Sequence, residues 1–327
     1  MKRISSIFLG LLCFTACQTT NSTDQVVSQT FVHKYGFETS EKEWEAREKE
    51  GQVVTTLKNG VKITRSYENG QLHGATTHTF PHSSIVEKAL VYDQGILLKE
   101  LVNDTTGMPI REEVYEFDNR KIITLWDKKG VPLSIEEYDD ELLVEGKYFT
   151  PDHELEATVE LGFGERIKRD RTGVLISRDD MAGGIIASRT TYHPNGQVHT
   201  VSNYHDYQLH GEQLKFTASG RPLMELNWNH GVLDGSKIIY RNGSKIAEVP
   251  YINGQKHGVE LHFDDLGNLT AEIQWRNDKK HGTTQLHSEE ASDTEWFFNG
   301  QTVSVDKFKT LEEREQIIAD FNANGIR

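Results

Sequence analysis

Histidine is the residue type in this 327-residue chain that most invites a chemical reading, because fourteen imidazoles could supply metal ligands or general bases. Four of them share one context: His73, His210, His257 and His281 are each followed by a glycine, Gly74, Gly211, Gly258 and Gly282. If these four occupy equivalent places in stacked hairpins, imidazoles of successive units stand about 9.6 Å apart, two strand spacings of about 4.8 Å. Nitrogen ligands of a single zinc lie only about 2.0–2.1 Å from the metal. Phase-equivalent histidines are therefore poorly placed to share an ion. The expectation is a turn histidine that hydrogen-bonds locally beside a glycine with an unusual backbone angle. Asp234 stands in the histidine place of one unit, as a turn role tolerates.

The other reactive residue types point the same way. Asp139-Asp140, Asp179-Asp180 and Asp264-Asp265 are acidic pairs, but none has the spacing of a calcium loop. All three are expected in or next to turns, with solvated carboxylates. Leu161-Gly162-Phe163-Gly164 is too isolated to be a phosphate cradle, and no Gly-x-Ser-x-Gly occurs. Two cysteines are present, Cys13 and Cys17, and acylation of Cys17 after removal of Cys13 would leave no thiol for nucleophilic catalysis. No catalytic residue, metal ligand or cofactor site is assigned, and the chain is read as non-enzymatic.

Residues 1–16 form an address. Lys2 and Arg3 are a short positive region, and Ile4 to Phe14 is an apolar stretch too short to span a bilayer as a mature helix. Phe14-Thr15-Ala16-Cys17 resembles a bacterial lipobox, with Phe14 where an aliphatic residue is usual; the alternative is an ordinary secretory signal cut after Ala16. Cys17 is thus the expected lipid-attachment residue, and Gln18 after it points to the outer membrane. Cleavage removes Lys2 and Arg3 and takes the net charge from −14 to −16. That charge repels phosphate-rich partners, so nucleic acid is not an expected ligand. Residues 17–40 are polar and without periodicity, and read as a lipidated tether. Residues 41–51 could hold a short helix capped by Ser40, with Glu43 completing a capping box and Trp44 and Ala46 buried.

From residue 52 to 305 the chain repeats. A turn glycine recurs at Gly60, Gly107, Gly130, Gly173, Gly196, Gly220, Gly243 and Gly267, with Ser84 and His153 filling two gaps in register. Adding a degenerate unit ending at Gly300, about eleven units follow one another at a spacing near 23 residues. Eight residues after the turn positions stand Tyr92, Tyr115, Tyr138, Leu161, Met181, Tyr204, Trp228, Tyr251 and Trp275, an expected column of packed side chains. A second column, three or four residues before the turn, includes Phe80, Trp126, Phe149, Tyr192, Phe216, Tyr240 and Phe263. Alternation has period two, as in Ala247, Val249 and Tyr251, so the runs are strands and the expected fold is an all-β antiparallel meander. Residues 306–327 carry a helix pattern, with a capping box at Thr310–Glu313 and Leu311, Ile317, Ile318 and Phe321 on one face. It is expected to cap the last hairpins, because an open edge strand invites pairing with another chain.

The unit is spelled most fully in YENGQLHG (67–74) and YINGQKHG (251–258), with Gly70 and Gly254 as tip glycines. It resembles the MORN repeat, and more closely the bacterial variant in proteins labelled as the YwqK-type antitoxin family. The resemblance covers the array, strongly at 204–282 and 67–74, and weakly at 100–190. It implies an elongated, single-layer sheet of consecutive hairpins, on the order of 100 Å long for eleven units. Together with the address, this predicts a lipid-anchored scaffold or binding module of the cell envelope, with a protein partner and with the membrane reached through the anchor. The resemblance also leaves open a YwqK-like antitoxin that occludes a toxin, and a protein that binds lipid headgroups.

Overall fold

The computed structural model describes residues 25–287 and 292–324. Residues 1–24 lie outside them, and with them the expected leader and the expected attachment residue Cys17. The chain is nearly all β, with 63% of residues in strands and 9% in helices. Its 27 strands follow one another as a meander in one antiparallel sheet, and a short helix closes the C-terminus. Two compact units divide it, Met1–Pro109 and Ile110–Arg327.

In the first unit, the residues expected to form the end of a tether are instead a strand. Val26–His33 pairs with Gly51–Leu57 over seven positions, and its end also takes up Glu38–Thr39. Tertiary pairing decides this, since the apolar positions are too few to announce a strand. Between these strands lies helix α1, Glu41–Ala46, whose cap residue Ser40 accepts from the Glu43 amide while the Glu43 carboxylate accepts from the Ser40 amide. Trp44 is 3% exposed and packs against Phe31 and Tyr67, at 5.9 and 6.2 Å between centroids. Ala46 is exposed. Gly51 has φ +126°, and a Cβ there would stand 2.2 Å from the Val32 carbonyl oxygen, so only glycine fits.

The repeat uses two kinds of turn. At the tight tips both central residues have positive φ, as in Asn253-Gly254 (+49° and +81°), which matches the twist of the flanking strands. At the wider turns one side chain organises the loop. The Asp264 carboxylate accepts from the Leu266 and Asn268 amides, and Asp170 does the same for Thr172 and Val174. The Asp264 carboxyl is held below the usual range, first by its Asn268 side-chain hydrogen bond. Successive tips are tied together. The tip glycine amide donates to a carbonyl one unit back, Gly231 to Leu209 (2.8 Å), Gly254 to Leu233 (2.7 Å) and Gly300 to Lys280 (2.8 Å).

The buried core of the second unit is small: Leu143, Tyr148, Val159, Ile167 and Met181, with Tyr138 and Leu175 packed on it. Most of the aromatic columns lie outside this cluster, and Trp228, Trp275, Tyr204 and Phe216 are only half-buried. A one-layer sheet has no second sheet to cover a large ring. Leu161 does not belong to the column: it is 82% exposed at a tip, with φ +51°.

The terminal helix α2, Val305–Asn324, starts five residues before the capping box read at Thr310. Ser304 precedes it, accepting from Phe308 at its carbonyl and from Lys307 at its hydroxyl, while the Thr310 hydroxyl donates back to Asp306. It meets the sheet through Phe308, which lies against Trp296, His281 and Phe298, and through Glu312 and Glu315, which pair with Arg276. The apolar face expected to pack is turned outward, with Ile317, Ile318 and Phe321 at 67%, 59% and 74% exposure.

Candidate functional site

The sequence-derived site residues are repeat fasteners. Gly70, Gly74, Gly211, Gly254, Gly258 and Gly282 all have positive φ. The histidine before each second glycine reaches forward to the next tip, and His73 also bonds within its own hairpin. His257 Nδ1 is 3.2 Å from Asn277 Oδ1, His281 Nδ1 accepts from the Asn299 amide at 3.3 Å, and His210 Nδ1 accepts from the His230 amide at 3.5 Å. His73 lies 3.2 Å from Asp93, at its own next tip, and equally far from Glu68. Purely local bonding is thus corrected: strand pairing brings side chains about twenty residues apart into reach, a distance no local pattern encodes.

Asp139-Asp140 and Asp264-Asp265 lie in or next to turns as expected, whereas Asp179-Asp180 is corrected. Asp179 is not in a solvated turn. It lies within the strand Leu175–Ala182, is fully buried, and receives both Arg189 Nε and Nη2 at 2.7 Å.

Beside that pair lies a half-open cavity of about 420 Å³. Its apolar wall includes Ile123, Leu125 and Leu133, and its charged groups are Arg111, Arg166, Lys168, Arg169 and Glu136. Period-two alternation sets Arg166 and Lys168 on one face of the strand Phe163–Arg169. Glu136 comes from the strand Pro132–Asp139 and stands opposite Gly146 in the strand Leu142–Phe149. That glycine is required: a Cβ there would meet the Tyr148 hydroxyl at 2.5 Å. The Tyr148 side chain therefore folds over Gly146 and its hydroxyl donates to Glu136 Oε1 at 3.1 Å. Arg166 donates to the same carboxylate bidentately, from Nε at 2.6 Å and Nη2 at 2.9 Å, and Tyr138 donates at 2.8 Å.

Burial alone would raise the Glu136 carboxyl. The Arg166 hydrogen bonds and charge, with the two tyrosines, outweigh it and hold Glu136 below the usual carboxylate range. Burial and the Glu136 charge push both tyrosines well above their ordinary value. These groups keep one protonation state across the neutral range, and they position charge rather than exchange protons.

Lys168 differs from its neighbours. Arg111 has Glu113 at 2.7 Å, Arg169 has Glu156 at 2.7 Å, and Arg166 has Glu136. Among the described residues Lys168 has no hydrogen-bond or ion-pair partner. Burial first, and then the Arg166 charge, lowers its pKa, against a weaker opposing pull from Asp179. A half-buried cation with no carboxylate in direct contact, its nearby acids Asp179 and Glu136 already paired to Arg189 and Arg166, is suited to receive an anion. Neither the strand of Arg166 and Lys168 nor Gly146 carries a repeat motif, so sequence reading gave no signal for this cavity.

No family model and no curated protein matches the chain. Among solved structures the chain is similar to the crystal structure of TcdB2-TccC3, at 11% identity and a TM-score of 0.14. The alignment covers 76% of this chain and 18% of that one. A likeness at that level carries no argument about fold or function.

Proposed function

We propose that this chain is a non-enzymatic repeat module of the bacterial envelope, of the MORN-like kind, exported and anchored through Cys17, and that it binds a protein partner through a carboxylate held at Lys168. The observation that carries the binding reading is Lys168 itself, half-buried and unpaired in a chain of net charge −14. The reading as a binder rather than a catalyst is supported by the fixed protonation of the Glu136 network, which offers neither a general acid nor a general base near neutral pH.

Two measurements test it. A fluorescent oligoglutamate peptide titrated onto the full chain should bind in a salt-sensitive manner, and Lys168→Glu should abolish binding without changing the circular-dichroism melting curve. Equal binding by the two proteins would overturn the site. For the anchor, labelled fatty acid should enter the wild type and not Cys17→Ala in a bacterial host; equal labelling would overturn the attachment.

A further inference from the structure

We propose that His205, His210 and His230 form a three-histidine site for a zinc-class divalent metal ion. Its place in the fold follows from the stacking of tips. His205 ends the strand Val198–His205, and the two-residue tip Asp206-Tyr207 returns the chain into Gln208–Phe216, which carries His210. His230 opens the following tip at φ +47°. The Gly231 amide bond to the Leu209 carbonyl, at 2.8 Å, holds that tip against the strand of His210. The spacing argument against a shared ion applied to histidines at equivalent repeat positions. His205 and His230 are not at the position of His210, and the stacking brings all three together.

The rings stand 5.5 Å (205 to 210), 5.7 Å (205 to 230) and 4.8 Å (210 to 230) apart between centroids. With a metal–nitrogen bond of about 2.1 Å, a ring centroid lies about 3.2 Å from the metal, so two imidazoles in a tetrahedral site sit about 5.2 Å apart. The observed separations bracket that value. As the rings stand, their nitrogens do not all lie within 4.8 Å of one another; His205 and His230 are exposed, so closing the site is a rotation of those two side chains against solvent.

The surroundings suit ligation at Nε2. His230 Nδ1 is 2.8 Å from the Asn229 side-chain oxygen, and His205 Nδ1 is 3.3 Å from the Asp206 carboxylate. Such acceptors hold the proton on Nδ1 and leave Nε2 as the donor atom for a metal. His210 must move its proton to Nδ1 and give up the 3.5 Å contact from the His230 amide, which is at the weak limit of hydrogen bonding. Three imidazoles leave a fourth position for water or for a donor from another molecule.

Among the described residues the group whose ligand atoms already lie within 4.8 Å of one another is a different one, His281, Glu312 and Glu315. Arg276 already occupies it, with Nη2 at 2.6 Å from Glu315 and Nη1 at 3.4 Å from Glu312. A dication there would have to displace a guanidinium, whereas the three histidines contain no competing cation.

The test is calorimetric titration of the full chain, stripped with chelator, with zinc chloride, and in parallel the visible absorption of added Co²⁺. One equivalent should bind with a tetrahedral cobalt spectrum. His230→Asn should weaken zinc binding at least tenfold, and so should His205→Gln. Asparagine occupies the corresponding tip position at Asn253, Asn277 and Asn299, so His230→Asn keeps the turn. His257→Ala and His281→Ala should bind as the wild type does. The proposal is overturned if the wild type binds no zinc, if His230→Asn and His205→Gln bind it unchanged, or if His281→Ala loses it as they should.

Discussion

Replacing Glu136 by Gln tests whether the buried charge network is a structural fastener of the second unit. The isosteric change keeps the shape and leaves Arg166 without its bidentate partner. The two side chains are 7% and 15% exposed, so solvent cannot restore much of what is lost. Removing one member of a buried pair costs about 3–5 kcal/mol, and the residual exposure of Arg166 places the expectation near 3 kcal/mol. The double variant Glu136→Met/Arg166→Met should cost clearly less, because it leaves no orphaned charge. Hydrogen exchange across Pro132–Asp139 and Phe163–Arg169, with urea unfolding of the full chain, reads both. The pH dependence has a defined sign. Glu136 in the folded chain titrates below the ordinary glutamate value of 4.5, so its contribution is fully present above that value and is lost as pH falls through the folded pKa. The difference between wild type and Glu136→Gln should therefore hold at pH 7 and shrink in acid, below about pH 4. A cost under about 0.5 kcal/mol at pH 7, or a double variant no better than the single, would refute the reasoning.

Three further outcomes follow from the same structure. Gly51→Ala should cost more than about 2 kcal/mol, from strain at positive φ and the approach to the Val32 carbonyl, and faster hydrogen exchange in Val26–His33 would show it. Phe308→Ala should loosen α2, read as faster proteolysis between residues 300 and 324, because that ring makes the aromatic contacts with Trp296, His281 and Phe298 and leaves the ion pairs of Glu312 and Glu315 with Arg276 as remaining ties. Trp228→Phe should cost less than about 1 kcal/mol in urea unfolding, since the buried indole N–H has no acceptor and its loss removes an unsatisfied donor.

The sequence by itself determined the meander. Glycine at fixed spacing marks backbone positions that only small or left-handed residues occupy, and period-two alternation leaves no helical reading for the runs between them. It also marked α1 at Ser40 and a helix at the C-terminus, since capping patterns are local. What the tertiary structure decided is everything that joins residues from different units. His257 meets Asn277, His210 meets His205 and His230, and Glu136 meets Arg166 thirty residues on. Strand register sets these meetings, and register depends on bulges and on tip stacking rather than on any one residue's type. The same holds for burial. Asp179 reads as a solvated acid beside Asp180 and is fully enclosed, whereas Ile317, Ile318 and Phe321 read as a packing face and are exposed. Side-chain pattern fixes which residues share a face, but a single-layer sheet with two helices leaves the cover of each face to the neighbours that the fold brings there.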